Sequence, residues 1–346
     1  MQLSTNYMGL QLRNPLVASA SPLSHTVDGV RRLADAGVGA VVLHSLFEEQ
    51  LRDESVLNAR LADAGTESFA EALSYFPGDA EEDYGPRRHL NLVERAAAAV
   101  DIPVIASLNC TRLETWTEYA RAMQDAGAAA IELNIYYVPG DPSTLGREVE
   151  QRQIDVVQRV KDAITVPVAV KLSPHFSSTG EIALRLDEAG ADALVLFNRF
   201  MAPDIDTETL AVVPALALSR PVEALLPRTW IALLHGRVGA SLAATTGVEN
   251  PSDVAKYLLA GADVVMSTSA LLRHGPEHAA VLLDGLSAWM TRKGFKSVDE
   301  LRGMLAVPPG TDEAAYERAG YVNALRAANA GIYGPWCARL RRPTRT

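Results

Sequence analysis

Eight short, nearly continuous apolar runs recur along this chain, each separated from the next by an amphipathic stretch, and this alternation limits the fold more than any other feature. A strand buried on both faces has no solvent side to mark with polar residues, so it reads as an unbroken apolar run. Its crossover helix shows a one-sided period near 3.6. The runs are residues 14–20, 39–44, 102–109, 129–134, 166–172, 191–198, 240–245 and 262–267. Helical patterns lie between or after them at 27–36, 115–126, 148–163, 180–189, 226–237, 251–260 and 276–292. Runs four, six and eight follow the segments DAGAAA, EAGADA and LAGADV, where a glycine in the left-handed conformation can end a helix. Eight repeated αβ units point to an α/β fold of the closed (β/α)8 TIM-barrel type rather than an open doubly wound sheet.

Two segments exceed what a minimal barrel needs. Residues 48–90, after strand two, are far longer than an ordinary βα loop and are expected to cover the mouth. Residues 199–221, after strand six, carry acidic residues and prolines and suggest a small β-excursion. The barrel is expected to span 1–305, with 306–346 as a partly helical extension ending in a basic tail from Arg339 to Arg345. With 48% hydrophobic and 21% charged residues, the chain has the composition of a protein that buries a large core. A net charge of −10 argues against a nucleic-acid partner. No apolar run reaches the roughly 18 residues of a membrane span, so a cytoplasmic protein is expected. Cys110 and Cys337 show no metal or disulfide spacing, and no metal is expected. His25, His89, His175, His235, His274 and His278 read as surface or local structural residues, with His25 and His175 following strand ends beside the expected mouth.

In such a barrel the site lies at the C-terminal ends of the strands. Those ends are unusually polar: Ala20-Ser21, His44-Ser45, Asn109-Cys110, Asn134, Lys171, Asn198-Arg199, Thr245-Thr246-Gly247 and Thr268-Ser269. One polar strand end is ordinary helix capping. So many on one mouth, with a lysine closing an apolar strand, point instead to a ligand with many hydrogen-bonding edges.

At these positions the chain resembles the dihydroorotate dehydrogenase family. The resemblance rests on NPLVASASP at the start, IELN at strand four, VPVAVKLSPHF at strand five, Asn198, and the blocks TTGVENPSDVAKYLLAGADVV, STSALLRHGP and MTRKGFKSVDELRG, and it covers roughly residues 1–305. It implies an FMN cofactor whose ring is bordered by Ala20, Ser45, Asn109, Asn134, Lys171 and Asn198. Its phosphate would be held by Ser219, Thr246, Gly247, Thr268 and Ser269. Lys171 would stabilise the negative charge of the reduced ring. The same lysine also reads as a strand-end residue paired with a neighbouring carboxylate.

Departures from the family pattern concern mainly the substrate. Where single-chain members carry Asn-Leu-Ser-Cys-Pro-Asn, with cysteine as the base, this chain has Asn134-Ile135-Tyr136-Tyr137-Val138-Pro139, so Tyr137 stands at the base. The lysine of strand two is His44, the Asn-bearing loop is SFAEALSYFPGDAEEDYG, and a serine after Asn198 is Arg199. Glycine pairs are also replaced around Ser219 and Thr246. His44, Asn134, Asn198 and Arg199 are the expected substrate contacts. His44, Tyr137 and Cys110 are candidate proton acceptors, and each has a purely structural alternative.

The expected function is FMN-dependent oxidoreduction at a CH–CH group, with hydride passing between a small polar, pyrimidine-like substrate and flavin N5. Dihydroorotate is not the expected substrate. Two alternatives stand beside it, an FMN-binding barrel without catalysis and a flavin-free lyase or isomerase using Lys171 for a Schiff base. Neither a GxGxxG fingerprint nor a cysteine cluster is present, so the expected electron acceptor is a separate, unidentified molecule; a homodimer is left open.

Overall fold

A computed structural model describes residues 1–48, 86–110, 112–199, 203–214, 217–311, 318 and 320–327. The chain divides into two compact units, Met1–Ala306 and Val307–Thr346. In the second, residues 320–327 are helical; the basic tail lies outside the described residues. The expected covering loop also falls outside them between 49 and 85.

The first unit opens with a hairpin of β1 (Thr5–Tyr7) and β2 (Leu10–Leu12), joined by Met8 and Gly9, both at positive φ. Two such residues form the tight turn whose twist matches that of paired strands. The barrel strands follow: β3 (Leu16–Ala18), β4 (Ala40–Phe47), β5 (Val104–Asn109), β6 (Ala130–Asn134), β7 (Val168–Leu172) and β8 (Ala193–Leu196). After the antiparallel hairpin β9 (Pro203–Asp206) and β10 (Ala211–Pro214), β11 (Ser241–Ala244) and β12 (Val264–Ser267) complete the set. The eight parallel strands close in the order β11-β12-β3-β4-β5-β6-β7-β8. Every expected apolar run thus forms a barrel strand, and the excursion after β8 is the β9–β10 hairpin.

The outer layer consists of α1 (Val27–Asp35), α2 (Pro86–Ala99), α3 (Leu113–Asp125), α4 (Gly146–Ala163), α5 (Thr179–Glu188), α6 (Leu225–Leu234) and α7 (Pro251–Ala260). A short α8 (Ser269–His274), then α9 (His278–Lys293) and α10 (Val298–Leu301), follow the last strand. Gly127, Gly190 and Gly261 take positive φ after α3, α5 and α7, as the Ala-Gly signals imply. Among the described residues no helix is long and apolar enough to cross a membrane, and no group of three or more His, Cys, Asp or Glu residues is arranged to hold a metal.

Two apolar layers position the mouth. The larger lies between strands and helices. The smaller fills the barrel's interior with Val17, Val42, Ile105, Ala130, Ala169, Val195, Ala243 and Met266, closed from below by Tyr7, Met8 and Leu12 of the hairpin. These interior residues fix which side of each strand faces the axis, because side chains alternate with period two.

Candidate functional site

Counting upward by two from the apolar floor places polar side chains on the same inward face. Ala130 leads to Glu132 and Asn134, Ala169 to Lys171, Ile105 to Ser107 and Asn109, Val17 to Ser19, Ala243 to Thr245, and Met266 to Thr268. On β4 the count slips. Its register against β5 shifts between Val42 and Ser45, a bulge that sets two residues against one and lengthens the strand beyond the expected end at His44. Ser45, not His44, therefore faces the axis opposite Ser107, with their hydroxyls 2.8 Å apart.

The layer is internally bonded. Asn198 donates from Nδ2 to Asn134 Oδ1 at 2.6 Å, and Asn134 donates from its own Nδ2 to Ser45 Oγ at 3.3 Å. One amide–hydroxyl chain thus links the segment just after β8 to β6, β4 and β5. Beside it the Lys171 ammonium donates to Ser19 Oγ at 3.3 Å and lies 3.5 Å from Glu132 Oε1. Buried Asn109 leaves its Nδ2 donor without a partner. Ala20, half-buried, borders the same interior.

A second cluster gathers at the ends of β11 and β12. Ser219 donates through its backbone N–H to Ser269 Oγ at 3.0 Å, the two hydroxyls are 2.9 Å apart, and Gly247 N–H donates to Ser219 Oγ at 3.2 Å. Thr246 and Gly247 both have positive φ. At Gly247 a Cβ would come within 2.8 Å of the Arg220 carbonyl oxygen, so glycine is required for space as well as conformation. The Thr246 conformation is unfavourable for a β-branched residue and is held from behind by Tyr257 of α7. The Tyr257 phenol donates to the Thr246 carbonyl at 2.7 Å and to the Thr245 carbonyl at 3.1 Å, and burial keeps it protonated by pushing its pKa up. Thr268 Oγ1 reaches the Ser19 carbonyl at 3.4 Å, tying this cluster to the inward layer.

Four sequence candidates stand apart from these two bonded clusters. The His44 ring packs edge-on against His25, with centroids 3.9 Å apart, and lies 4.8 Å from His89 of α2. His89 is 5% exposed, a buried residue rather than a surface one, and neither of its ring nitrogens has a partner. Burial, and next the adjacent imidazoles, push His44 down to about 4 and His89 to about 3, while burial and then Arg88 lower His25. Arg199 pairs with Glu223 at 3.2 Å and donates to the Ala217 carbonyl. Tyr137 is half-buried, with the Arg152 guanidinium 4.6 Å above its ring. Cys110 is buried.

Glu132, Ser107 and Ser19 also face the interior, although none of them closes its strand. Their signal was nevertheless present: each is polar in an apolar strand and stands two residues below an inspected strand-end position.

The family model described as Dihydroorotate dehydrogenase matches residues 2–290. A Methanothermobacter thermautotrophicus protein named dihydroorotate dehydrogenase B (NAD(+)), catalytic subunit, is 28% identical over 321 residues, covering 87% of this chain and 98% of that one. The Escherichia coli NAD-dependent dihydropyrimidine dehydrogenase subunit PreA is 25% identical, with 87% and 76% covered. A putative dihydroorotate dehydrogenase A (fumarate) of Aeropyrum pernix is 26% identical, with 87% and 97% covered. Members of this family are oxidoreductases that generally bind FMN. A closed barrel with its polar residues gathered at the C-terminal strand ends, and a family match running through all eight of those strands, lead to one assignment: the chain belongs to the dihydroorotate dehydrogenase family.

Proposed function

We propose that this chain is an FMN-dependent oxidoreductase acting on a small, polar, pyrimidine-like ring other than dihydroorotate. The observation that carries the reading is the bonded layer of Asn198, Asn134 and Ser45 beside the buried Lys171 ammonium, with the Asn109 amide donor still unspent. A cation and several amides suit a flat heterocycle whose edge alternates donors and acceptors. The hydroxyl and N–H groups of Ser219, Ser269 and Gly247 suit a phosphate. The residues present therefore fit FMN.

Ala20, Ser45, Asn109, Asn134, Lys171 and Asn198 would hold the ring, and Ser219, Thr246, Gly247, Thr268 and Ser269 the phosphate. When bound, FMN supplies a two-electron acceptor for hydride. Asn134 is oriented in advance by its bonds to Asn198 and Ser45, so little reorganisation is needed when a ligand arrives. The apolar floor excludes water beneath the layer, which strengthens every polar contact above it. Tyr137 stands at the family's base position with its ring held by Arg152, and is the proton acceptor we assign. The His44 imidazole is directed toward His25 and His89 and takes no part in that step.

Arg199 and Tyr137 in place of the family's serine and cysteine support a substrate other than dihydroorotate. Relatives named as subunits support a separate protein as electron acceptor. The test is the absorption spectrum of purified protein, followed by anaerobic mixing with a panel of dihydropyrimidines that includes dihydroorotate. The expected results are stoichiometric FMN and bleaching by a panel member other than dihydroorotate. A colourless protein that takes up no added FMN would overturn the cofactor, and bleaching by dihydroorotate at roughly 1 per second or faster would overturn the substrate.

A further inference from the structure

The carboxylate beneath Lys171 has no role in the reading above, yet its placement is unusual. Glu132 is 1% exposed and sits one inward position below Asn134, on the strand adjacent to that of Lys171. Its Oε1 is 3.5 Å from the Lys171 ammonium, and its Oε2 has no partner. Beneath it is the fully buried Tyr7 phenol, whose hydroxyl is also unpartnered and whose pKa is raised first by burial and then by the Glu132 charge. A carboxylate held so deep, with one oxygen unsatisfied, is tolerated because a cation lies beside it. The converse also holds. Lys171 reaches the mouth from an apolar barrel only with a counter-charge behind it.

We propose that Glu132 is a positioning residue acting through Lys171. It fixes the ammonium on the barrel axis and offsets its charge, so that a ligand above meets the positive end of a nearly neutral Lys–Glu pair rather than an isolated cation. This rests on the FMN reading for its effect on a flavin, but its charge logic belongs to the protein alone. A pair's field falls with distance faster than a lone charge's, so Glu132 limits how strongly Lys171 stabilises an anion at the mouth.

The test is a double-mutant cycle of Glu132→Gln and Lys171→Ala, read by the midpoint potential of bound FMN and by the thermal midpoint of the apoprotein. Glu132→Gln keeps the side chain's size and an acceptor for Lys171 while removing the opposing charge. Bound FMN should then become easier to reduce, with the ratio of reduced to oxidised flavin at fixed potential rising about tenfold, or roughly 30 mV for a two-electron couple. Lys171→Ala should move the ratio the other way, and the double variant should return close to the unsubstituted value. Glu132→Asp, which keeps the charge, should stay near the unsubstituted potential.

In the apoprotein, Lys171→Ala should lower the thermal midpoint and the added Glu132→Gln should recover most of the loss. A purely structural Glu132 would give additive destabilisation and no upward shift in potential, and either result overturns the proposal. If Glu132→Gln cannot retain FMN, the apoprotein cycle decides alone. If the unsubstituted protein binds no FMN, the cofactor reading fails, while the apoprotein cycle still tests the charge compensation.

Discussion

Two clusters of ionisable side chains lie on opposite sides of the barrel wall, one inside on β6 and β7 and one outside beside β4, and they meet burial in opposite ways. Inside, Lys171 and Glu132 are a cation and an anion 3.5 Å apart within a layer of amides and hydroxyls. Outside, exposed His25, half-buried His44 and buried His89 form a cluster whose pKa values desolvation lowers, with Nδ1 of His44 and both nitrogens of His89 left unpartnered. The bulge between Val42 and Ser45 separates them, by giving Ser45 to the inside while His44 packs with His89. The comparison teaches that a buried charge survives through its partner, whereas a buried imidazole can survive by staying uncharged.

The most severe way to break the inner cluster is to remove one charge. Lys171→Met leaves Glu132 uncompensated and should cost about 3–5 kcal/mol in urea unfolding. Adding Glu132→Leu should restore most of that, because an apolar pair of similar volume carries no desolvation penalty. A double variant no more stable than Lys171→Met would show that the inner pair is held by packing rather than charge.

Acid should act on the outer cluster first. Above about pH 6.5 these histidines are neutral in both folded and unfolded chains and stability does not depend on them. As the pH falls below that value, the unfolded chain takes up protons that the folded chain refuses, so stability declines until the folded pKa is reached, about 4 for His44 and about 3 for His89. For the buried His89 this loss is on the order of a few kcal/mol. Urea midpoints measured from pH 7 to pH 4 should fall steadily, and a His89→Leu variant should fall less. Parallel slopes for the two proteins would refute the neutral-trio account.

At neutral pH the same His89→Leu change should be neutral or stabilising by about 1–2 kcal/mol, because it replaces two unpartnered buried nitrogens by apolar atoms. That outcome would sharpen the contrast with Lys171→Met. A clear loss at pH 7 would mean that the imidazoles bind something or one another.

How much of this could be read beforehand depends on the period of each element. All eight strands were legible because a strand buried on both faces has no means of hiding its apolar run. Asn134, Lys171, Asn198 and Gly247 were legible as strand-end residues because the barrel sends its strand ends to one mouth. Glu132 carried a signal, a carboxylate in IELN, but looking only at strand ends stops two residues short of it. His44 was placed at the mouth because it closes the run 39–44 and stands where the family has a lysine, and a bulge leaves no reliable mark in a single sequence. The histidine trio had only a partial signal, His25 and His44 both falling at strand ends, because position 89 joins them only when the barrel and α2 have formed.

The mildest test addresses the bulge itself. Ser45 Oγ bonds the Ser107 hydroxyl at 2.8 Å and accepts the Asn134 amide at 3.3 Å, so Ser45→Ala removes two hydrogen bonds from the inner layer while leaving the outer trio untouched. A neutral buried hydrogen bond contributes about 1 kcal/mol net, so losing these two is expected to cost about 1–2 kcal/mol. Without Ser45, Asn134 keeps only its bond from Asn198, and its amide becomes less firmly oriented. Affinity for FMN should therefore fall more than overall stability does, while the acid slope set by the histidines stays unchanged. A Ser45→Ala protein whose acid slope moves and whose FMN affinity does not would place Ser45 on the helix side of β4, and would reverse the assignment of inside and outside at the bulge.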